Sequence, residues 1–280
     1  MNERPLTLEE IHEGTLEILK KIISICDETG VNYFLAYGTL IGAVRHGGFI
    51  PWDDDLDLVM LRPDYEKFLD YCRAHEAEMF PFRLMNRRNT SDYPYNISRF
   101  CDLRYRMESE DLPDAGMGMF IDIYPYDGVG NDLAEAERTI GRRKWLYMNC
   151  FFSAIRKHFM PSHKGTLRTI AKFPVHCAAK LMGYRYFLDK LEKLQYRYSL
   201  EDSRYVACTV WDGTLDATEK TNYMEYIYLD FAGVRAKAPK NYDAMLRATY
   251  GDYMCLPPED KRAPHHEYSL YRKPEYFPAE

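Results

Sequence analysis

The sequence predicts an α+β (α/β-type) chain: a mixed β-sheet flanked by helices and interrupted by a basic helical insertion. Three observations carry this. Short apolar segments of strand length alternate with stretches of helical period. Gly and Pro punctuate the junctions between them. A block from Arg142 to Arg197 holds 13 Lys and Arg against Asp189 and Glu192, a local net of +11, so the rest of a chain of net −6 carries −17. The expected organisation is a core over 1–140, the insertion over 141–200, and a C-terminal part over 201–280 that completes the core.

Composition sets the class. With 280 residues, 46% hydrophobic and 29% charged, the chain is long enough for a large core and ordinary for a globular protein. The seven cysteines are scattered, odd in number and without a CxxC pair, which argues against a zinc site and a disulfide framework. The first residues, MNERPLTLEE, are polar and acidic, unlike a signal peptide. No uninterrupted apolar run reaches the ~18–20 residues of a membrane span. The expectation is a cytoplasmic protein with reduced thiols. The 24 Tyr, 14 Phe and 3 Trp serve packing first; Tyr-rich pockets also suit a quaternary ammonium.

Thr7-Leu8-Glu9-Glu10 reads as a capping box that opens a helix, and Gly30 as its stop. Ile11, Ile18, Leu19, Ile22 and Ile25 recur on one face and should pack on the sheet. A strand over 32–37 leads into a small-residue turn at Gly38-Thr39, where backbone N–H groups can face phosphate. Leu40–His46 then forms a helical turn or two. Arg45 is a candidate clamp on phosphate, or a salt bridge to a neighbouring aspartate. Pro51-Trp52 fixes the entry to an acidic strand, with Trp52 a packing anchor or a stacking platform.

Asp53, Asp54, Asp55 and Asp57 fall within five positions, directly before an apolar run. In an extended chain, Asp53, Asp55 and Asp57 share one face, roughly 7 Å apart at ~3.3 Å per residue. Three such carboxylates repel unless a cation sits among them. Hard oxygen ligands at this spacing suit Mg²⁺ or Mn²⁺, which take one or two carboxylates plus substrate phosphates. A solvated acidic loop is the plainer reading, but Leu56, Leu58 and Val59 interleave the acids with strand residues.

A second helix is expected over 63–76, with Tyr65, Phe68, Leu69 and Cys72 on one face, and strands over 82–86 and 94–107. Arg99 lies opposite the apolar face of its strand, toward solvent or a phosphate. Asp122, in Phe120-Ile121-Asp122-Ile123, is a lone acid among apolar residues, so it must be paired or neutralised. Metal ligation with Asp55 and Asp57 is one partner; a buried arginine such as Arg99 is the other.

The insertion interleaves its bases with Phe151, Phe152, Ile155, Phe173, Leu181 and Phe187 among others. Basic amphipathic helices with aromatics suit an anionic membrane surface, each base contributing about 1 kcal/mol there. The alternative is an ordinary helical layer with solvated bases. No recognisable motif points to nucleic acid. Beyond it, strands are expected at Val206–Trp211 and Tyr226–Phe231 and a helix around 241–250. Lys261, Arg262, His265 and His266 close the chain as a basic cluster suited to phosphate.

Gly38-Thr39 with Asp55-Leu56-Asp57-Leu58 after it resembles the nucleotidyltransferase superfamily pattern, a Gly-Ser/Thr turn before a hydrophobically flanked Asp-x-Asp. The longer string GTLIGAVRHGGFIPWDDDLDL is similar to the LicD/fukutin branch of that superfamily. Phe120–Pro125 resembles its second motif, and Tyr250–Met254 with Leu256–Arg262 and His265-His266 its C-terminal one. The resemblance implies a nucleotidyltransferase fold with Asp55, Asp57 and Asp122 catalytic. Those three and Asp53 would hold Mg²⁺ (or Mn²⁺), and Asp122 would accept a hydroxyl proton. It further implies a CDP-linked donor, for which Gly38, Thr39, Arg45, Trp52, Arg99, Lys261, Arg262, His265 and His266 are the candidate contacts. Phosphocholine or a polyol phosphate would pass to a surface glycan or its lipid-linked precursor, on the inner face of the membrane, with release of CMP. Nucleotidyl transfer with pyrophosphate release, and a silent nucleotide- or glycan-binding module, stand as rivals.

Overall fold

The computed structural model describes residues 4–109, 113, 115–155, 166–210, 217–262 and 268–277. Helix α1 (Leu8–Thr29) opens on the expected capping box: Thr7 accepts from the Glu10 N–H, and the Glu10 carboxylate accepts from the Thr7 N–H. Gly30, at φ 68°, closes it in the left-handed conformation that glycine adopts without penalty. Its stripe of Ile18, Leu19, Ile22 and Ile25 is buried. Strand β1 (Phe34–Leu35) is shorter than expected, because the chain turns into α2 (Tyr37–His46) at once. Gly38-Thr39 is therefore the first turn of a helix rather than a free turn.

Strand β2 (Asp57–Leu61) runs into α3 (Arg62–Ala74), with Pro63 in the first turn where its missing N–H costs nothing. Strands β3 (Phe82–Met85), β4 (Ser98–Asp102) and β5 (Tyr105–Ser109) come next, so the expected 94–107 strand is two, broken at Leu103-Arg104. Strand β6 (Met119–Gly128) is buried throughout. The sheet order is β1-β2-β6-β4-β3, and β7 (Tyr205–Ala207) with β8 (Thr218–Glu219) extends it from the end of β6. Among the described residues of this sheet only β2 and β6 pair in parallel; the other ladders are antiparallel. The sheet is mixed, as expected. Strand β7 stops at Ala207, short of the Val206–Trp211 expectation, and Trp211 lies outside the described residues. Hairpin β9 (Tyr226–Phe231) with β10 (Val234–Pro239), then α7 (Tyr242–Tyr250), pack near β1 and α2, while β11 (Tyr268–Arg272) pairs with β5.

Period two divides the strands between two cores. Leu58, Met60, Ile121 and Ile123 join α1 and α3 in the larger one. Val59, Leu61, Tyr124 and Tyr126 face the other way, onto the helical layer of α4 (Leu133–Ala154), α5 (Thr166–Met182) and α6 (Tyr184–Gln195). That layer starts at Leu133, ahead of the charge block, with Asp132 capping it. Phe187, Leu188 and Leu191 of α6 are core residues, and Ile155 is also buried, so part of the aromatic and aliphatic content expected at a membrane holds the sheet instead. Phe173, Leu181 and Met182 remain exposed.

Gly42 locks α2 against the loop after it: a Cβ there would sit 2.4 Å from the Gly48 carbonyl oxygen and 3.2 Å from the Ile50 N. Backbone cannot yield as a flexible side chain would. Gly42→Ala should therefore cost about 1–3 kcal/mol, read as a lower denaturant midpoint with unchanged slope.

Candidate active site

The strand register assembles the centre. Asp57 is the direct partner of Asp122 across the parallel β2–β6 ladder, so their backbones lie about 4.8 Å apart. Both side chains project to the face shared with Val59 and Tyr124. The Leu56 carbonyl accepts from the Asp122 N–H at 3.1 Å, which extends the pairing one residue before β2. Asp53–Leu56 is extended but lies outside the strand, so of the acidic run only Asp57 belongs to β2.

Two side chains fix this geometry. Thr39 is buried, and its hydroxyl accepts from the Asp57 N–H at 2.9 Å. It positions the carboxylate from behind. Gly38 supplies clearance, since a Cβ there would lie 2.7 Å from Asp53 Oδ2. His12 Nε2 donates to the Asp53 carbonyl at 2.6 Å while its ring stacks on Phe49.

Asp122 has a cation beside it. Arg99 Nε donates to Asp122 Oδ1 at 2.7 Å. Arg99, expected to face outward, is only 6% exposed. Its guanidinium is sandwiched between Tyr95 and Phe120, 4.1 and 4.0 Å from the ring centroids. The outward expectation fails because this face is covered too, at Arg99 by the Tyr95 and Phe120 rings, so alternation no longer separates core from solvent. Of the two partners open to Asp122 from sequence, a buried arginine is present.

Asp57 is the strained member. It is buried, and among the described residues its Oδ1 has no hydrogen-bond partner. Burial pushes its carboxyl well above the ordinary range, and Asp55, Asp122 and Asp53 push the same way against Arg99. Tyr124, two residues beyond Asp122, feels the same field: burial, then Asp57 and Asp122, raise its phenol. Tyr37 holds φ 47°, a left-handed value rare for a bulky residue, with its ring edge-on to Tyr124 and its hydroxyl 3.2 Å from that of Tyr126. The period-two spacing from Asp122 would have found Tyr124; no sequence signal marks Tyr37.

Among the described residues, no three His, Cys, Asp or Glu side chains stand close enough to close around an ion. What fits a divalent cation is the orphaned Asp57 oxygen inside a crowd of carboxylates, hard donors whose repulsion an ion would relieve.

A cationic group stands at the C-terminal side. Arg45 donates to the Tyr253 and Cys255 carbonyls at 2.7 and 3.3 Å, not to an aspartate. Burial and the nearby Arg262 lower its pKa. Arg262 lies 5.5 Å from the Trp52 ring, and His46 meets the same ring edge-on. The structure thus brings together Arg45, Trp52 and Arg262, with Lys261 exposed beside them. His265 and His266 lie outside the described residues.

Paired acidic strands behind a short helix, in a mixed sheet covered on both faces, define an α+β domain of the nucleotidyltransferase class. The family model described as "LicD/FKTN/FKRP, nucleotidyltransferase domain" matches residues 30–179, and the chain belongs to that family. It is 29% identical to the lipopolysaccharide cholinephosphotransferase LicD of Haemophilus influenzae over 96% of this chain and 99% of that protein. It is also 45% identical to the ribitol 5-phosphate transferase FKRP of human and of mouse, over 42 residues that make up 15% of this chain and 8% of each relative.

Two outcomes check the electrostatics. Because folding raises the Asp57 carboxyl, the folded state binds more protons than the unfolded one above the ordinary carboxyl range. Stability should therefore fall as pH rises from that range toward the raised value. Without added metal at neutral pH, Asp57→Asn should raise the melting midpoint by about 3 °C and flatten this pH slope in calorimetry. Removing one half of the buried pair is different: Arg99→Met should cost about 3–5 kcal/mol by stranding Asp122. Adding Asp122→Asn to that variant should recover most of the loss in chemical denaturation.

Proposed function

We propose that the chain transfers a phospho-alcohol, foremost phosphocholine, from a CDP-linked donor to a hydroxyl of a cell-surface glycan or its lipid-linked precursor, releasing CMP. The observation that carries this is the register pairing of Asp57 with Asp122 beside an unpartnered Asp57 oxygen. The full-length similarity to a cholinephosphotransferase supports the choice of alcohol.

Asp57 and Asp55, with Asp53 and Asp122 adjoining, would hold Mg²⁺ or Mn²⁺. Bound there, the ion would neutralise diphosphate charge and charge developing on the transferring phosphorus. The remaining work belongs to the chain. Arg45 and Arg262, two guanidiniums that repel each other without an anion, would receive donor phosphate, and Trp52 offers a stacking face. Asp122, oriented by Arg99, would accept the acceptor hydroxyl's proton. The hydroxyl oxygen forms the new bond to the alcohol-bearing phosphorus as the bond from that phosphorus to CMP breaks. An acceptor carried on lipid would bring the chain to the inner membrane surface; none of its described helices is long and apolar enough to cross a membrane.

Incubation with CDP-choline, CDP-glycerol and CDP-ribitol in Mg²⁺, with a glycan acceptor, should release CMP, most from CDP-choline. Chelation should stop the release and added Mg²⁺ restore it. Asp55→Asn should lower it by more than about 100-fold. Pyrophosphate from a nucleoside triphosphate would indicate nucleotidyl transfer, and binding without turnover a silent module. Full activity in Asp55→Asn would overturn the carboxylate assignment.

A further inference from the structure

A second concentration of chemistry lies on the helical layer, away from the carboxylates. Helices α4 and α6 run antiparallel: Cys150 Sγ lies 3.7 Å from the Tyr184 carbonyl, and the Trp145 and Phe187 rings meet at 6.0 Å. Farther along, the two helices line a groove of about 610 Å³. Arg142, Lys190, Lys193 and Arg197 bring four positive charges to it, and Trp145, Leu146 and Leu194 its apolar surface.

The fold makes this charge one-sided. The two acids of α6, Asp189 and Glu192, are both held by Arg87, and Arg88 approaches Glu192 to 3.8 Å. Lys190, Lys193 and Arg197, at i, i+3 and i+7, run along a different edge of the helix. Among the described residues, neither these three nor Arg142 has a carboxylate partner. Four like charges around one groove repel, and an anion relieves them.

The apolar residues say which anion. On the same two helices, Met148 and Tyr186 are exposed and Trp145, in the groove, is 52% exposed. At the α5–α6 junction, Leu181 is 90% exposed. A soluble phosphate has no use for such a rim, nor has a nucleic acid backbone. A bilayer uses both, phosphate for the bases and the headgroup boundary for Trp, Met and Leu. We propose that this groove docks the chain on an anionic phospholipid bilayer, with lipid phosphate between Arg142, Lys190, Lys193 and Arg197 and with Trp145, Met148 and Leu181 entering the headgroup boundary. The proposal rests on the transfer reading only in giving a lipid-linked acceptor a surface on which to be met.

The test is co-sedimentation of the full chain with vesicles of phosphatidylcholine, alone or with phosphatidylglycerol. The chain should sediment with the anionic vesicles only, and less as salt rises. The triple variant R142Q/K193Q/R197Q should bind about 100-fold more weakly, and Trp145→Ala roughly tenfold, each with unchanged circular dichroism. Equal binding to both vesicle types would overturn the proposal, as would parental binding by the triple variant. So would release from the vesicles by soluble glycerol phosphate or by a duplex oligonucleotide at matched phosphate concentration. CMP release from soluble substrates, measured on the same triple variant, should be unchanged. If CMP release fails in the parent while vesicle binding holds, the transfer reading falls and the docking groove stands.

Discussion

Everything at the centre depends on one ladder, the parallel pairing of β2 with β6. A parallel pair needs a crossover, and here it spans from Leu61 to Met119, through α3 and three antiparallel strands. What it delivers is the meeting of two acids from distant parts of the chain at one register position. Opposite Asp122 on the other side of β6 stands Arg99, also a direct register partner. Three adjacent strands thus present acid, acid and base in one row. Within the row one positive charge faces Asp57 and Asp122, and burial together with the neighbouring acids raises the Asp57 carboxyl.

Such a centre is costly to fold, and the neighbouring structure carries the cost. The Thr39 hydroxyl takes the Asp57 N–H, which would otherwise be an unmet donor in a buried position. Tyr95 and Phe120 close over Arg99 and replace the water it has lost. At the far end of β6, Arg62 binds Asp127 through two hydrogen bonds of 2.7 and 2.9 Å, tying the start of α3 to the strand that holds Asp122. The central strand is thereby anchored at both of its acidic positions by guanidinium groups from neighbouring elements.

The sequence makes the local elements plain and the long-range geometry much less so. Thr7, Glu10 and Gly30 define α1 because caps act over a few residues. The acids of the Asp-x-Asp run stand out because charge before an apolar run is unusual. That Asp122 lies beside Asp57 is implied by family resemblance, since strand register across a crossover leaves no local trace. Alternation puts Arg99 outside by a rule that assumes one wet face, and the Tyr95 and Phe120 rings close that face over it. Gly38 reads as a turn because glycine usually marks one; in the fold it stays inside a helix, where its missing Cβ makes room for the Asp53 carboxylate.

The charge partition then acquires a structural meaning. The +11 block is not an appendage, since its Phe187, Leu188 and Leu191 form the second core against Tyr124 and Tyr126, on the face of the sheet that carries Asp57 and Asp122. One helical layer therefore combines an apolar contact to the sheet with a basic outward groove. Its inner side is apolar where Phe187, Leu188 and Leu191 meet the sheet, although Arg143 of α4 is buried as well. Arg142, Lys190, Lys193 and Arg197 stand exposed on its outer side, and the α6 acids are held by Arg87 and Arg88 rather than left to neutralise them. The basic groove and the apolar contact to Tyr124 and Tyr126 thus lie on one helical layer, so the surface proposed to meet an anionic bilayer is tied to the strand that carries Asp122.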